Sequence, residues 1–130
     1  MILDRGTYQT SGYVFAVKAN GYLFLYTYQA GQMQSTLCAY QGIDAGIYQT
    51  LGVSRDGEVV NVYRNGVDIT ATHGTHIDPV SDSGTALISI QRGKTTWPLD
   101  GKIEYLAVLG VALTQEEHME WHNYLKGGFH

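Results

Sequence analysis

Residues 48–72, YQTLGVSRDGEVVNVYRNGVDITAT, contain the two dipeptides that decide the fold class. Asp56-Gly57 and Asn65-Gly66 are the pairs that best supply the positive backbone angles of type I′ hairpin turns. The residues around these turns are rich in valine and tyrosine, which favour strands. The stretch therefore predicts a three-strand meander over residues 49–55, 58–64 and 67–72.

The first part of the chain shows the same alternation. Residues 13–18 and 22–29 each alternate between the two faces, and the tripeptide at 19–21 has turn chemistry, which predicts a hairpin. Residues 73–85 carry turn formers and little periodicity, so a surface loop is expected there. Shorter strands are predicted at residues 35–40, 86–91 and 102–109.

The hydrophobic period changes near the C-terminus. Thr114 can cap a helix with Glu117 three residues later, which is the capping-box pattern. Trp121 and Leu125 follow at helical spacing, and the glycines at 127–128 can end the helix. We expect one short C-terminal helix, packed on the β domain through Trp121.

The composition fits one globular domain and gives no support to several functions. The chain has 130 residues, 44% of them hydrophobic, which is enough to bury a core. Its net charge of −4 gives no electrostatic case for binding nucleic acid. No stretch approaches the about 20 apolar residues of a membrane span, and no signal peptide is recognisable. Cys38 is the single cysteine, so no internal disulfide is expected.

Three segments resemble the laminin-G-like, concanavalin A-like jelly-roll superfamily. They are IYQTLGVSRDG followed by VVNVYRNGVDI, then LDGKIEYLAVLGVALTQEEH, and ILDRG with GYVFAVKANGYLFLYTY. The resemblance implies an all-β fold, a two-sheet antiparallel jelly-roll sandwich with one short C-terminal helix. Residues 1–130 are expected to form a single domain of this kind. The usual opening strand of the family has no counterpart, which implies either an excised domain or a trimmed sandwich.

The resemblance also orients the aromatic strand at residues 22–29. It implies that Leu23 and Leu25 face the interior of the sandwich. The side chains expected to point outward are then Tyr22, Phe24, Tyr26 and Tyr28. An exposed apolar row of this size usually marks an interface. Its cover is expected to be another subunit or domain, the helix or an end segment, or a glycan.

Glucanases share this fold, and the sequence offers a test for their chemistry. Glycoside hydrolysis needs two carboxylates across the scissile bond, which the retaining glucanases of this fold present as E-x-D-x-x-E or E-x-D-x-E on one strand. Neither pattern occurs in the chain. Asp100 and Glu104 are four residues apart, but the resemblance implies that Asp100 lies in a structural turn. We therefore expect no enzymatic activity.

The chain has five histidines, and imidazole is a common metal ligand. His118 and His122 share a helix face, but the zincin pattern H-E-x-x-H needs Glu where the chain has Met119, so a packing role for His118 is expected.

His73 and His76 in the sequence THGTHID could approach Asp78, with Asp82 nearby. Without a defined fourth ligand they indicate zinc only weakly, and imidazoles suit calcium poorly. We expect no cofactor, with calcium near Asp78 or Asp82 as the alternative.

The expected ligand is a carbohydrate, because the sequence offers an aromatic platform beside polar groups. Trp97 in GKTTWPLDG lies in a predicted loop, with Thr96 and Asp100 close to it and the outward Tyr26 and Tyr28 as further contacts. We therefore expect a non-enzymatic, lectin-like recognition domain of a cell-surface, secreted or phage-tail protein, extracellular or virion-associated. The alternative is an assembly module of a virion or adhesin, in which the aromatic strand face is the interface of a homo-oligomer.

Overall fold

The computed structural model describes residues 2–6, 11–38, 43–77, 88–90 and 101–128. Within these residues the chain forms strands and a C-terminal helix. Their bounds are β1 Leu3–Arg5, β2 Gly12–Val17, β3 Leu23–Gln29, β4 Gln32–Cys38, β5 Leu51–Asp56, β6 Val59–Arg64, β7 Val67–Asp68, β8 Thr70–Thr72, β9 Ile88–Ile90 and α1 Gln115–Gly128.

The strands form two antiparallel sheets. Sheet A has the order β8-β4-β3-β2-β1-β9, and sheet B has the order β5-β6-β7. An inter-sheet core joins them, with Leu23 and Leu25 of sheet A in the same cluster as Val60 and Val62 of sheet B. The predicted class, an all-β two-sheet sandwich with one C-terminal helix, is confirmed.

The hairpin turns show where the local sequence signals were right. Asn65 and Gly66 both have positive φ, 52° and 80°, between the paired residues Arg64 and Val67, as a type I′ turn requires. The other predicted turn is shifted by one residue. Gly57, with φ 56°, is the first residue of the loop between Asp56 and Val59, which is the place that a type II′ turn gives to glycine.

Two predicted strands differ in the structure. The third strand of the meander divides at Ile69, because β7 pairs with β6 whereas β8 pairs with β4 of sheet A. Residues 102–109 form no strand; Ile103 and Leu106 instead pack against the inter-sheet core. In both cases tertiary packing overrides a local strand preference.

The aromatic strand is buried on both faces. Leu23 and Leu25 face sheet B as predicted, and Phe24 and Tyr28 form a second cluster on the opposite face of sheet A. Phe24 and Tyr28 thus point away from sheet B as predicted, and both are buried within the chain itself, which is one of the expected kinds of cover. The predicted outward direction is wrong for Tyr22, which packs against the inter-sheet core.

Helix α1 begins with the predicted capping box. The Thr114 backbone N–H donates to Glu117 Oε2 at 2.8 Å, and the Glu117 N–H donates to Thr114 Oγ1 at 3.3 Å. The two bonds satisfy backbone donors that the first helical turn leaves unpaired.

The helix packs on the face of sheet B that points away from sheet A. The His118 ring stacks on the Tyr63 ring with 3.9 Å between their centroids. Val62 faces sheet A, and successive strand residues point to opposite faces. Tyr63 and the helix therefore lie on the outer face of sheet B. Close approach depends on Gly52 and Gly66. A Cβ would lie 2.6 Å from His118 Cε1 at the first and 2.5 Å from Met119 Cα at the second. Trp121 also joins the helix to the rest of the domain, as expected, through its ring contact with Tyr105, and its other ring partner is Tyr124 of the helix itself.

The helix contact predicts different costs for alanine at two glycines with the same backbone angle. Gly66 has φ +80° beneath Met119, whereas Gly46 has φ +82° and nothing within 4 Å. Gly46→Ala should cost about 1 kcal/mol for the left-handed backbone alone. Gly66→Ala should cost about 3 kcal/mol, because its Cβ also displaces the helix backbone. Urea denaturation measures both, and equal losses would show that α1 does not pack over Gly66.

Candidate functional site

Several residues that the sequence analysis singled out lie outside the described residues. They are Trp97, Thr96 and Asp100 of the predicted sugar site and Asp78 and Asp82 of the alternative calcium site. Their roles stay predictions.

Tyr26 and Tyr28 lie on the face of sheet A that points away from sheet B. Tyr28 is 3% exposed, and Tyr26 is half-buried with its ring centroid 4.2 Å from that of Phe24. Lys18 Nζ lies 5.7 Å from the Phe24 ring and 5.9 Å from the Tyr26 ring, within cation–π range. A sugar contact through these tyrosines stays a prediction, and Tyr28 offers little surface for it.

His76 is buried between the sheets in a closed chain of hydrogen bonds. Its Nδ1 lies 2.7 Å from Thr27 Oγ1 and its Nε2 lies 2.8 Å from Thr36 Oγ1. The Thr27 hydroxyl donates to Gln34 Oε1 at 3.0 Å, so it accepts from His76 Nδ1–H, and Nε2 accepts from Thr36. The network therefore requires a neutral His76 ring in which both nitrogens form hydrogen bonds.

The hydrogen bonds of His76 argue against its role as a ligand in the predicted histidine–aspartate metal site. His76 has no nitrogen left for a metal ion, and His73 is exposed. In residues 2–6, 11–38, 43–77 and 101–128, no group of three or more His, Cys, Asp or Glu side chains could hold a metal ion.

The two helix histidines are packing residues. His118 Nε2 lies 2.8 Å from Ser54 Oγ, which donates to the Leu113 carbonyl at 2.7 Å, so the histidine is the donor to Ser54. His122 Nδ1 lies 2.9 Å from Thr50 Oγ1. Burial lowers the pKa of both rings. The expected packing role of His118 agrees with these contacts.

The structure brings together an aromatic cluster that sequence reasoning missed. The centroids of Tyr105 and Trp121 lie 5.7 Å apart with the rings at 30°, and those of Trp121 and Tyr124 lie 6.2 Å apart at 86°. We call these three residues the aromatic corner. Tyr124 is 75% exposed, so the corner opens to solvent. Its two nearly perpendicular walls suit the apolar face of a sugar ring.

Two elements hold the aromatic corner. Trp121 and Tyr124 are three residues apart on α1, a spacing that places side chains on the same helix face. Tyr105 belongs to the segment that Ile103 and Leu106 anchor in the core. The helical spacing was visible in the sequence, but Tyr105 is too distant along the chain for any local pattern to place it there.

A polar pair lies beside the aromatic corner. The Tyr48 hydroxyl donates to the carboxylate of Glu104, and this hydrogen bond, with the carboxylate charge, raises the pKa of Tyr48. Tyr48 is 67% exposed, and Glu104 directly precedes Tyr105 of the corner. Hydroxyl and carboxylate groups of this kind can hydrogen-bond the hydroxyls of a sugar.

Two packed antiparallel sheets with a covering helix define the class of the protein, a β-sandwich domain. Its family is shown by comparison of the sequence with family models. Residues 1–117 match the model described as the concanavalin A-like lectin/glucanases superfamily, and the chain therefore belongs to that superfamily. The resemblance found in the sequence motifs is confirmed.

Other comparisons add little. A solved structure of an S-layer domain-containing protein (residues 221–444) from Clostridium thermocellum is similar, with 14% identity and a TM-score of 0.46. The similarity covers 88% of this chain and 57% of that one, so the chain spans little more than half its length. No curated protein matches the chain. In the part of the chain that the structure describes, no helix is long and apolar enough to cross a membrane.

The burial of His76 predicts an acid-sensitive fold. Desolvation, followed by the charge of Arg55, lowers the pKa of His76 from 6.5 to about 4. Because the folded protein favours the neutral ring, this stabilisation is complete above pH about 6.5 and is lost as the pH falls toward 4. The whole contribution is about 3 kcal/mol.

NMR titration of the His76 ring should give a midpoint near 4 in the native state. In urea denaturation, His76→Gln should remove part of the loss of stability between pH 6.5 and 4. His73→Gln is the matched control, because this histidine of the same segment is exposed. A His76 midpoint at the ordinary value, or equal pH slopes for the two variants, would contradict the assignment.

Proposed function

We propose that the chain is a non-enzymatic, lectin-like domain that binds carbohydrate at the aromatic corner. The observation that carries the proposal is the perpendicular pair of rings, of which Trp121 is half-buried and Tyr124 is exposed, beside the Tyr48–Glu104 hydrogen bond. Stacking on an aromatic face supplies affinity for a sugar, and the polar pair supplies orientation.

Three considerations support this proposal. The superfamily name covers lectins as well as glucanases. The strand pattern of paired carboxylates that the glucanase reaction needs is absent from the sequence. We also propose binding without a metal ion, because the three rings and the Tyr48–Glu104 pair offer a single carboxylate, whereas calcium takes about six to eight oxygen ligands. The setting that we propose is a surface-exposed one, extracellular or virion-associated.

Tyr124→Ala should weaken glycan binding about ten-fold, because a solvent-exposed stacking ring is worth about 1.4 kcal/mol. Met33→Ala is the matched control, since this apolar side chain is 55% exposed on sheet A. A glycan array identifies the ligand, and calorimetry with that glycan measures the affinities.

Two further measurements distinguish the aromatic corner from the sugar site predicted around Trp97 and from a calcium site. If Trp97→Ala abolishes binding and Tyr124→Ala does not, the site lies at the position predicted from sequence and not at the aromatic corner. If EDTA abolishes binding, the site depends on calcium. Absence of binding across the array would overturn the function itself.

A second candidate function is assembly, and a different surface favours it. Residues 107–113, AVLGVAL, carry no charge and are almost entirely exposed, with Val111 69% exposed. Apolar patches of this kind mark contacts between proteins. The interface would be this segment and not the aromatic strand face, because Phe24 and Tyr28 are buried within the chain.

Assembly through residues 107–113 predicts a concentration-dependent oligomer that one charge disrupts. Val111→Asp should shift the protein to a monomer, because association would bury the new carboxylate without a partner. Light scattering coupled to size exclusion measures the change, and Met33→Asp on sheet A should leave the oligomer intact. A wild-type protein that is monomeric at every concentration contradicts assembly.

A further inference from the structure

The aromatic corner exists only while α1 is packed against the rest of the domain. Trp121 and Tyr124 belong to the helix, whereas Tyr105 belongs to the segment before it. Resting on the proposed function, we infer that protonation of two helix histidines, His118 and His122, releases α1 from sheet B and thereby releases bound carbohydrate under mildly acidic conditions.

The two histidines attach the helix to one strand of sheet B. His118 and His122 are four residues apart on α1, a spacing that places both rings on the same helix face. His118 Nε2 lies 2.8 Å from Ser54 Oγ of β5, and His122 Nδ1 lies 2.9 Å from Oγ1 of Thr50, which directly precedes β5. Both hydrogen bonds therefore exist only while the helix is packed on the sheet.

The surroundings of His118 suit a neutral ring. Its Nε2–H donates to Ser54, so Nδ1 is the nitrogen without a proton. A Cβ on Gly52 would lie 2.7 Å from Nδ1, so the strand closes this side of the ring, and Nδ1 has no hydrogen-bond partner among the residues that the structure describes. The ring also stacks on Tyr63 of β6, whose pKa is raised by burial, so this residue supplies no negative charge. A second proton on His118 would therefore place a charge and an unpaired donor against the sheet.

The charged groups around the two rings do not cancel this cost. Burial lowers the pKa of His118 and outweighs the attraction of Glu117 on α1 and Asp68 on β7 for the charged ring. Burial also lowers the pKa of His122, and the positive charge of Lys126 lowers it further. Because packing of the helix favours both neutral rings, its full stabilisation is present above pH about 6.5 and is lost as the pH falls from there toward the lowered pKa values.

Release of α1 takes the aromatic corner apart. The Trp121 ring lies 5.7 Å from that of Tyr105, and the segment that carries Tyr105 is anchored in the inter-sheet core by Ile103 and Leu106. When the helix leaves sheet B, Trp121 and Tyr124 move away from Tyr105. A sugar that contacts both elements binds only the packed form, so acid lowers its affinity. By the same linkage, the bound sugar lowers the pKa of both histidines further.

Hydrogen exchange of the whole chain, followed by mass spectrometry, tests the release of α1 without a ligand. After correction for the pH dependence of intrinsic exchange, protection of the amides in residues 115–128 should fall about ten-fold between pH about 7 and about 5.5. The double variant His118→Gln, His122→Gln keeps hydrogen-bonding side chains that cannot gain a proton, so the fall should disappear. His73→Gln and His76→Gln are the matched controls and should retain it, because neither residue belongs to α1.

NMR titration of the His118 and His122 rings keeps the test decisive even if the double variant packs its helix poorly at every pH. Midpoints below the ordinary histidine value of about 6.5 support the inference, and midpoints at or above that value overturn it. Addition of the glycan that the array identifies should move both midpoints further down.

Calorimetry with that glycan separates the inference from the function on which it rests. The affinity should fall about ten-fold over the same pH range in the wild type and stay constant in the double variant. A constant wild-type affinity while the protection of α1 falls overturns the control of binding by the helix. Constant protection of α1 overturns the release itself while sugar binding stands. Absence of binding across the glycan array at neutral pH overturns the proposed function, whatever the exchange of α1 shows.

Discussion

The structure depends on one constraint, which is that strand β3 is apolar on both faces. Leu23 and Leu25 need cover from one side, and Phe24 and Tyr28 need it from the other. Sheet A therefore buries side chains on both of its faces, and not only on the face that meets sheet B. Sheet B supplies the cover for the leucines through Val60 and Val62, and α1 then covers the outer face of sheet B. The positions of sheet B and α1 are thus consequences of the apolar pattern of β3.

The sequence predicts those features whose causes are local. The Asn65-Gly66 turn and the Thr114 capping box depend on a few neighbouring residues, and both form as expected. The division of the last meander strand at Ile69 has a tertiary cause. The Ile69 N–H donates to the Val62 carbonyl at 2.9 Å, after which the chain crosses to sheet A. No pattern within residues 67–72 encodes that partner.

The candidate site shows the same division between local and tertiary causes. Trp121 and Tyr124 could be placed on one helix face from their spacing, but Tyr105 and Glu104 join them only because α1 packs on sheet B over Gly52 and Gly66. A glycine in a strand gives no sign of which side chain will occupy the space above it. The site therefore forms through the close packing of α1 on sheet B, and the local sequence pattern predicts only the pair Trp121 and Tyr124.

The buried hydrogen-bond chain of Thr36, His76, Thr27 and Gln34 also fixes the alignment of the strands. A slip of β4 along β3 by two residues would keep the same side chains on the same faces, so the apolar pattern alone permits it. Only the native register pairs Thr27 with Gln34 and Leu25 with Thr36, and so sets both hydroxyls against one imidazole. A shifted sheet would enclose a ring with at least one unsatisfied nitrogen. The polar centre of this core therefore favours the native strand register over registers that the apolar pattern alone would permit.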